Sequence, residues 1–150
     1  MEARGMAVAA FVAIALAAGG CGGSSAKPLT RAELTAKANA ICRTVSAKLA
    51  TNTIKNAQEM ARTAPKLASF EQNALSELSR LVPPAALESD WQAFIAGAQK
   101  LAENTAKLGE YAKTKNLRAA GALIAMSENI QQRMLKIVKR DGIRDCEQVP

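Results

Sequence analysis

Beyond residue 29 the apolar side chains recur at helical spacing. Leu34, Ala38, Ile41, Val45 and Leu49 step by four and three, which places them on one face of a helix. Thr30-Arg31-Ala32-Glu33 ahead of them has the form of a capping box. In that motif the Thr hydroxyl accepts the Glu33 N–H and the Glu33 carboxylate accepts the Thr30 N–H. The stripe continues less sharply through Ile54, Ala57 and Ala61. Pro65 suits the first turn of a second helix, where no intrahelical N–H bond is needed, so a break is expected near Thr63-Ala64. Leu67, Phe70, Ala74, Leu78 and Leu81 form the apolar side of that second helix. Pro83-Pro84 ends it, because a proline pushes the residue before it out of the α region.

The third helix has the most regular pattern. Leu87, Trp91, Phe94, Ala98, Leu101, Thr105, Leu108 and Ala112 step strictly by four and three, the spacing of a bundle seam. Lys100, Glu103, Lys107 and Glu110 alternate in sign on another face, as expected of a solvated stripe. Asn116 is a suitable N-cap for a fourth helix, with Ala120, Leu123, Ser127, Ile130, Met134 and Ile137 on its inner side. Gly142 is expected to stop it in the left-handed conformation, with Ile143 folding back toward Val138 in a Schellman-type turn. Short connections between long helices favour antiparallel neighbours. The expected fold is therefore all-α, an antiparallel up-down four-helix bundle, with the end of helix four beside the first half of helix one.

The first twenty residues have a different pattern. A short head carrying Arg4 precedes an apolar run from Met6 to Ala18, followed by Gly19-Gly20-Cys21. This is the layout of an export signal, and the small residues before Cys21 resemble a bacterial lipobox. Ala18 stands where the common lipobox has Leu, and Gly19 where Ala or Ser is usual. The resemblance implies a diacylglyceryl group on the Cys21 thiol and cleavage before it. An ordinary secretory signal is one alternative. An uncleaved anchor is another, but the run is shorter than the roughly 20 residues a spanning helix needs. The expected organisation is a lipoprotein signal peptide over 1–20, a Gly- and Ser-rich tether over 21–29 and a helical domain over 30–150. The product would be lipid-anchored to the extracytoplasmic face of the cell membrane.

Three cysteines divide by compartment. With Cys21 as the lipid site, Cys42 and Cys146 are an even pair in an oxidising space, where a disulfide persists. The pairing also agrees with the antiparallel order of the helices. Two free buried thiols are the alternative.

Composition narrows the chemistry. The chain has 150 residues, net charge +7 and no histidine. Histidine-based acid/base catalysis and histidine metal sites are thereby excluded. No Ser or Cys nucleophile has an evident base. Glu88 and Asp90 point to different sides of a helix and read as a first-turn acidic pair favoured by the helix dipole. Met60, Met126 and Met134 read as core filler rather than soft-metal ligands. No phosphate-cradling glycine loop or nucleic-acid motif is present, so neither a cofactor, a metal nor nucleic acid is expected, and the protein reads as no enzyme. Arg133, Lys136, Arg140 and Arg144 recur at spacings of three and four, with Lys139 among them. In the antiparallel arrangement they lie near Lys27 and Arg31, forming a basic patch close to the membrane. Cations also stabilise a helix C-terminus, which accounts for part of the cluster.

Ala38-Asn39-Ala40-Ile41-Cys42-Arg43, Val82-Pro83-Pro84 and Gly142-Ile143-Arg144-Asp145-Cys146 together resemble short envelope lipoproteins of high-GC Gram-positive bacteria. The resemblance implies location and fold but no activity. The functional expectation is a lipid-anchored, non-catalytic module that binds an envelope protein or an apolar ligand. A structural or stress-related role for the basic surface is the alternative, with an unrecognised enzyme behind it.

Overall fold

The computed structural model describes residues 27–52 and 54–148. The expected signal peptide, Cys21 and most of the tether lie outside the described residues. The elements are α1 (Arg31–Ala50), α2 (Ala57–Ser79), a short 3-10 turn η1 (Ala85–Leu87), α3 (Glu88–Lys113), α4 (Leu117–Asp141) and a C-terminal 3-10 segment η2 (Arg144–Gln148). The fold is all-α, a four-helix antiparallel bundle in which consecutive helices reverse direction.

Local chemistry sets most helix ends. The capping box at Thr30 is formed: Glu33 N–H donates to Thr30 Oγ1 at 3.2 Å and Thr30 N–H donates to Glu33 Oε2 at 2.8 Å. The Thr30 N–H and the Thr30 hydroxyl both donate to Glu33 Oε2, and these two bonds, with the nearby Lys37 and Lys27 charges, hold the Glu33 carboxyl below the usual range. At the other end of the bundle, Ala119 N–H donates to the Asn116 side chain and opens α4. Gly142 closes α4 with φ of 80°, a left-handed value that a side chain would oppose. Ile143 N–H then donates to the Val138 carbonyl at 2.9 Å, the expected Schellman bond, and Ile143 is buried.

The first break falls earlier than Pro65 suggests. α1 stops at Ala50, where the Asn52 amide and the Thr51 hydroxyl both donate to the Lys48 carbonyl. Asn56 then caps α2 by accepting the Glu59 N–H, and Glu59 reaches back to the Lys55 N–H. Two side-chain caps within a few residues outweigh a proline that a helix can accommodate at a local cost. Pro65 consequently lies inside α2, not at its start.

The main core occupies the end of the bundle where α1 begins. Leu34, Ala38, Leu78, Leu87, Trp91, Phe94, Val138 and Ile143 are buried there together with Cys42 and Cys146. Trp91 and Phe94 stack with centroids 5.4 Å apart. Leu29 N–H donates to the Val82 carbonyl, tying the start of α1 to the turn between α2 and α3. In the second half of α3 the buried side turns to Ala102, Asn104 and Gly109. The strict seam expected there, through Leu101, Thr105, Leu108 and Ala112, is only half-buried. An α-helix drifts about 20° per heptad from a strict seven-residue repeat, so a straight helix cannot keep such a seam pointing inward.

Cys42 and Cys146 form the expected disulfide, with Cα atoms 5.0 Å apart across a separation of 104 residues. Three further contacts dock the tail onto α1. Arg43 pairs with Asp145 at 2.6 Å, Asp145 N–H donates to the Asn39 side chain, and the Cys146 sulfur lies 3.8 Å from the Ala38 carbonyl oxygen.

Candidate functional site

The tail determines how the helices are spaced. η2 packs against both α1 and α4, while α1 and α4 scarcely approach one another. A wedge between two helices at one end leaves room beside it. There the structure holds an apolar cavity of about 90 Å³, walled by all four helices and the disulfide.

Small side chains keep the space open. Ala74 of α2 and Ala98 and Ala102 of α3 stand where longer residues would fill it. Met134, a flexible residue of the lining, leans against α3. Its Cγ and Sδ are seated so close to Gly97 that a Cβ there would meet them at 2.7 Å. Phe94, Leu78 and the disulfide form the end nearer the main core, and Leu101, Glu71 and Gln131 lie toward the opposite end. Seven residues separate Leu78 from Glu71 and Phe94 from Leu101, about two helical turns or roughly 10 Å. The site is thus a short slot running along the bundle.

Two polar side chains enter this lining, Glu71 and Gln131. Glu71 is half-buried, and its Oε2 atom is shielded from solvent without a hydrogen-bond partner. Burial pushes its carboxyl above the ordinary glutamate range, and the nearby Thr105 hydroxyl, which donates to the Leu101 carbonyl, opposes that rise. Glu71 was not singled out by the helical pattern. A signal was present: Glu71 is seven residues from both Ala64 and Leu78, and both are buried.

The raised carboxyl makes a testable contribution to stability. Its folded form holds a proton at a pH where the unfolded chain has lost it. Stability contributed by Glu71 is therefore present at low pH, falls as pH rises from the ordinary glutamate value through the raised folded value, and is flat above. In Glu71→Gln this fall should be absent, leaving the variant more stable than the parent at neutral pH. Urea midpoints across the acid range check this, and parallel curves for the two proteins would refute it.

The basic residues named from the sequence take up different surroundings. Lys27 and Arg31 are exposed at the end where α1 begins, the end at which α4 finishes with Lys139 and Arg140. Arg133, Lys136 and Arg144 are exposed as well. Arg140, however, is paired with Asp90 of α3 and lies 3.6 Å from the buried Asp141 carboxylate, so part of its charge is used within the fold. Arg133 holds the Asn129 side chain from the same helix. Cys21, the expected lipidation site, lies outside the described residues.

Among the described residues no helix is long and apolar enough to cross a membrane, and no group of three Cys, Asp or Glu side chains is placed to hold a metal ion. Comparison with protein-family models, with curated proteins and with solved structures returns no match.

Proposed function

We propose that this chain is a non-catalytic ligand-binding module of the bacterial cell envelope, tethered to the membrane by a diacylglyceryl group on Cys21. The observation that carries the binding half of the reading is the apolar slot between the helices, whose lining includes two polar residues, Glu71 and Gln131. Binding sites are concave and mostly apolar, with a few placed polar groups, and this lining has that character. Its one carboxyl has no second acid or nucleophile beside it in the lining, so the wall supplies recognition rather than an acid–base pair. The anchoring half rests on the run from Met6 to Cys21, and the resemblance to actinobacterial-type envelope lipoproteins supports it. A lipobox product carries at least two acyl chains, enough for stable attachment.

The exposed cations favour a second contribution at the same end of the molecule. Lys27, Arg31, Arg133, Lys136, Lys139 and Arg144 are exposed, and each charge near an anionic bilayer is worth about 1 kcal/mol. In this reading the basic surface orients the module, and the lipid holds it.

Fractionation after labelling with a palmitate analogue tests the anchor. The parent protein should incorporate label and sediment with membranes. Cys21→Ser should lose the label and leave the membrane fraction. Retention of the unlabelled variant in salt-washed membranes would overturn the lipid-anchor reading.

A further inference from the structure

We propose that the outward face of the first half of α4 is a self-association surface, on which a second copy of this chain docks its own α4 in the opposite direction. The inference is independent of the slot and of the binding reading. Three observations single out the face, and its charges select the occupant.

The first is exposure. Leu117 is 75% exposed and Ile124 47%, and both stand on one side of α4. Leu117, Gly121, Ile124 and Glu128 step by four, three and four, the spacing of a seam between two helices. Arg118 and Ala125 flank that seam, and all six residues are exposed.

The second is Gly121. A glycine inside a helix is destabilising relative to alanine, so its presence calls for a packing reason. Two other helical glycines have one. A Cβ on Gly97 would meet Met134 at 2.7 Å, and a Cβ on Gly109 would meet the Ala64 Cβ at 2.9 Å. Gly121 has nothing within 4 Å. A bare glycine on an apolar seam lets another helix approach closely.

The third is Arg118. It stands in the first turn of α4, where the helix dipole disfavours a cation and no acidic residue is present. Among the described residues neither Arg118 nor Glu128 joins an ion pair.

Charge then fixes the partner. Arg118 lies five residues before Leu123 and Glu128 five after it. An antiparallel pair with its two-fold axis at Leu123 sets Arg118 of each copy level with Glu128 of the other, making two ion pairs. The same register sets Ile124 of one copy about 1.5 Å along the axis from Gly121 of the other, so the large side chain enters the gap over the glycine. A parallel pair would set Glu128 against Glu128 and leave Arg118 about 15 Å away along the axis. The antiparallel order also separates the two basic ends. The end of each α4 at Asp141 is about 27 Å from the axis, well beyond the screening length of about 8 Å at physiological salt.

A contact of one helix from each copy is at the low end of specific interfaces, so the pair is weak and covalent trapping is the suitable readout. Two full-length chains with different tags are co-expressed, one carrying Arg118→Cys and the other Glu128→Cys, and oxidised in intact cells. The parent chain, with Cys21 unchanged, gives the background. The mixed disulfide should form well above that background. Either variant alone should not, because like positions lie about 15 Å apart along the axis, too far for a disulfide. Adding Ile124→Glu to both chains should return the mixed product to background with helical content unchanged. In energy-transfer titrations between labelled copies of the full chain, Arg118→Glu or Glu128→Arg alone should weaken association about tenfold, by opposing like charges. The two reversals together should restore it, which loss of fold would not allow.

Equal yields from the mixed and the single-variant cells would overturn the antiparallel pair. Absence of the mixed product, or no restoration by the double reversal, would overturn it as well. Crosslinking of either variant to a different polypeptide would give the face to another protein and overturn self-association.

Discussion

Replacing Cys42 and Cys146 together by Ala should lower the unfolding free energy by about 3–5 kcal/mol, with the helical content unchanged. The bond closes a loop of 104 residues. In the chain-entropy account a loop of about 100 residues stabilises a fold by about 4.7 kcal/mol, because the cross-link removes extended states from the unfolded ensemble. The folded structure retains other ties. Ile143 is buried at 1% exposure, its N–H bonds Val138, and Arg43 and Asn39 still hold Asp145. The tail should therefore stay docked in the double variant. Urea denaturation followed by circular dichroism checks both parts. The midpoint should fall and the slope should steepen, since an uncross-linked chain exposes more surface on unfolding. A loss below about 1 kcal/mol would show that the unfolded chain is already compact enough to do the work of the bond.

The bond was legible in the sequence because two independent lines met on it. Compartment chemistry left Cys42 and Cys146 as a pair, and the antiparallel order of helices brought their ends together. Other features read correctly have the same local character. Thr30 with Glu33, Asn116 with Ala119, and Ile143 with Val138 across Gly142 each act over a span of five residues or fewer. Tertiary packing has little leverage at so short a range.

What was not legible depends on competition or on distance. Pro65 is a strong mark of a helix start, but Asn56 and Glu59 supply an earlier one, with a side-chain stop at Asn52 before it. Choosing between them requires weighing a proline inside a helix against two caps, and the pattern alone does not weigh them. The slot was less accessible still. It arises where η2 packs against both α1 and α4, with Met134 of its wall seated against Gly97. Neither fact is written in any one helix. Glu71 becomes a candidate only after the slot is seen, since an acidic residue in an apolar stripe is otherwise simply at its edge. Leu117 and Ile124 show the converse. They are large, apolar and exposed on one side of α4, while the exposed Met126 faces the opposite side, so they do not form one patch with it.

Trp91→Ala should cost about 3–5 kcal/mol, the range for truncating a large aromatic in a packed core. Trp91 is 2% exposed and belongs to the same buried cluster as Leu34, Leu87, Phe94 and Val138. Where in that range the cost falls depends on Phe94. Phe94 both stacks on Trp91 and lines the slot. If Phe94 keeps its place, the vacated volume stays empty and the cost is near the upper limit, because the penalty grows with residual cavity volume. If Phe94 moves into the vacancy, the cost falls toward the lower limit and the slot lengthens at its apolar end. The two outcomes separate in one pair of measurements, urea unfolding by circular dichroism and the unfolding-temperature shift with alkanols of increasing length. A rigid Phe94 predicts a large loss and an unchanged dependence on alkanol length, and a mobile Phe94 predicts a smaller loss and a dependence moved toward longer alkanols.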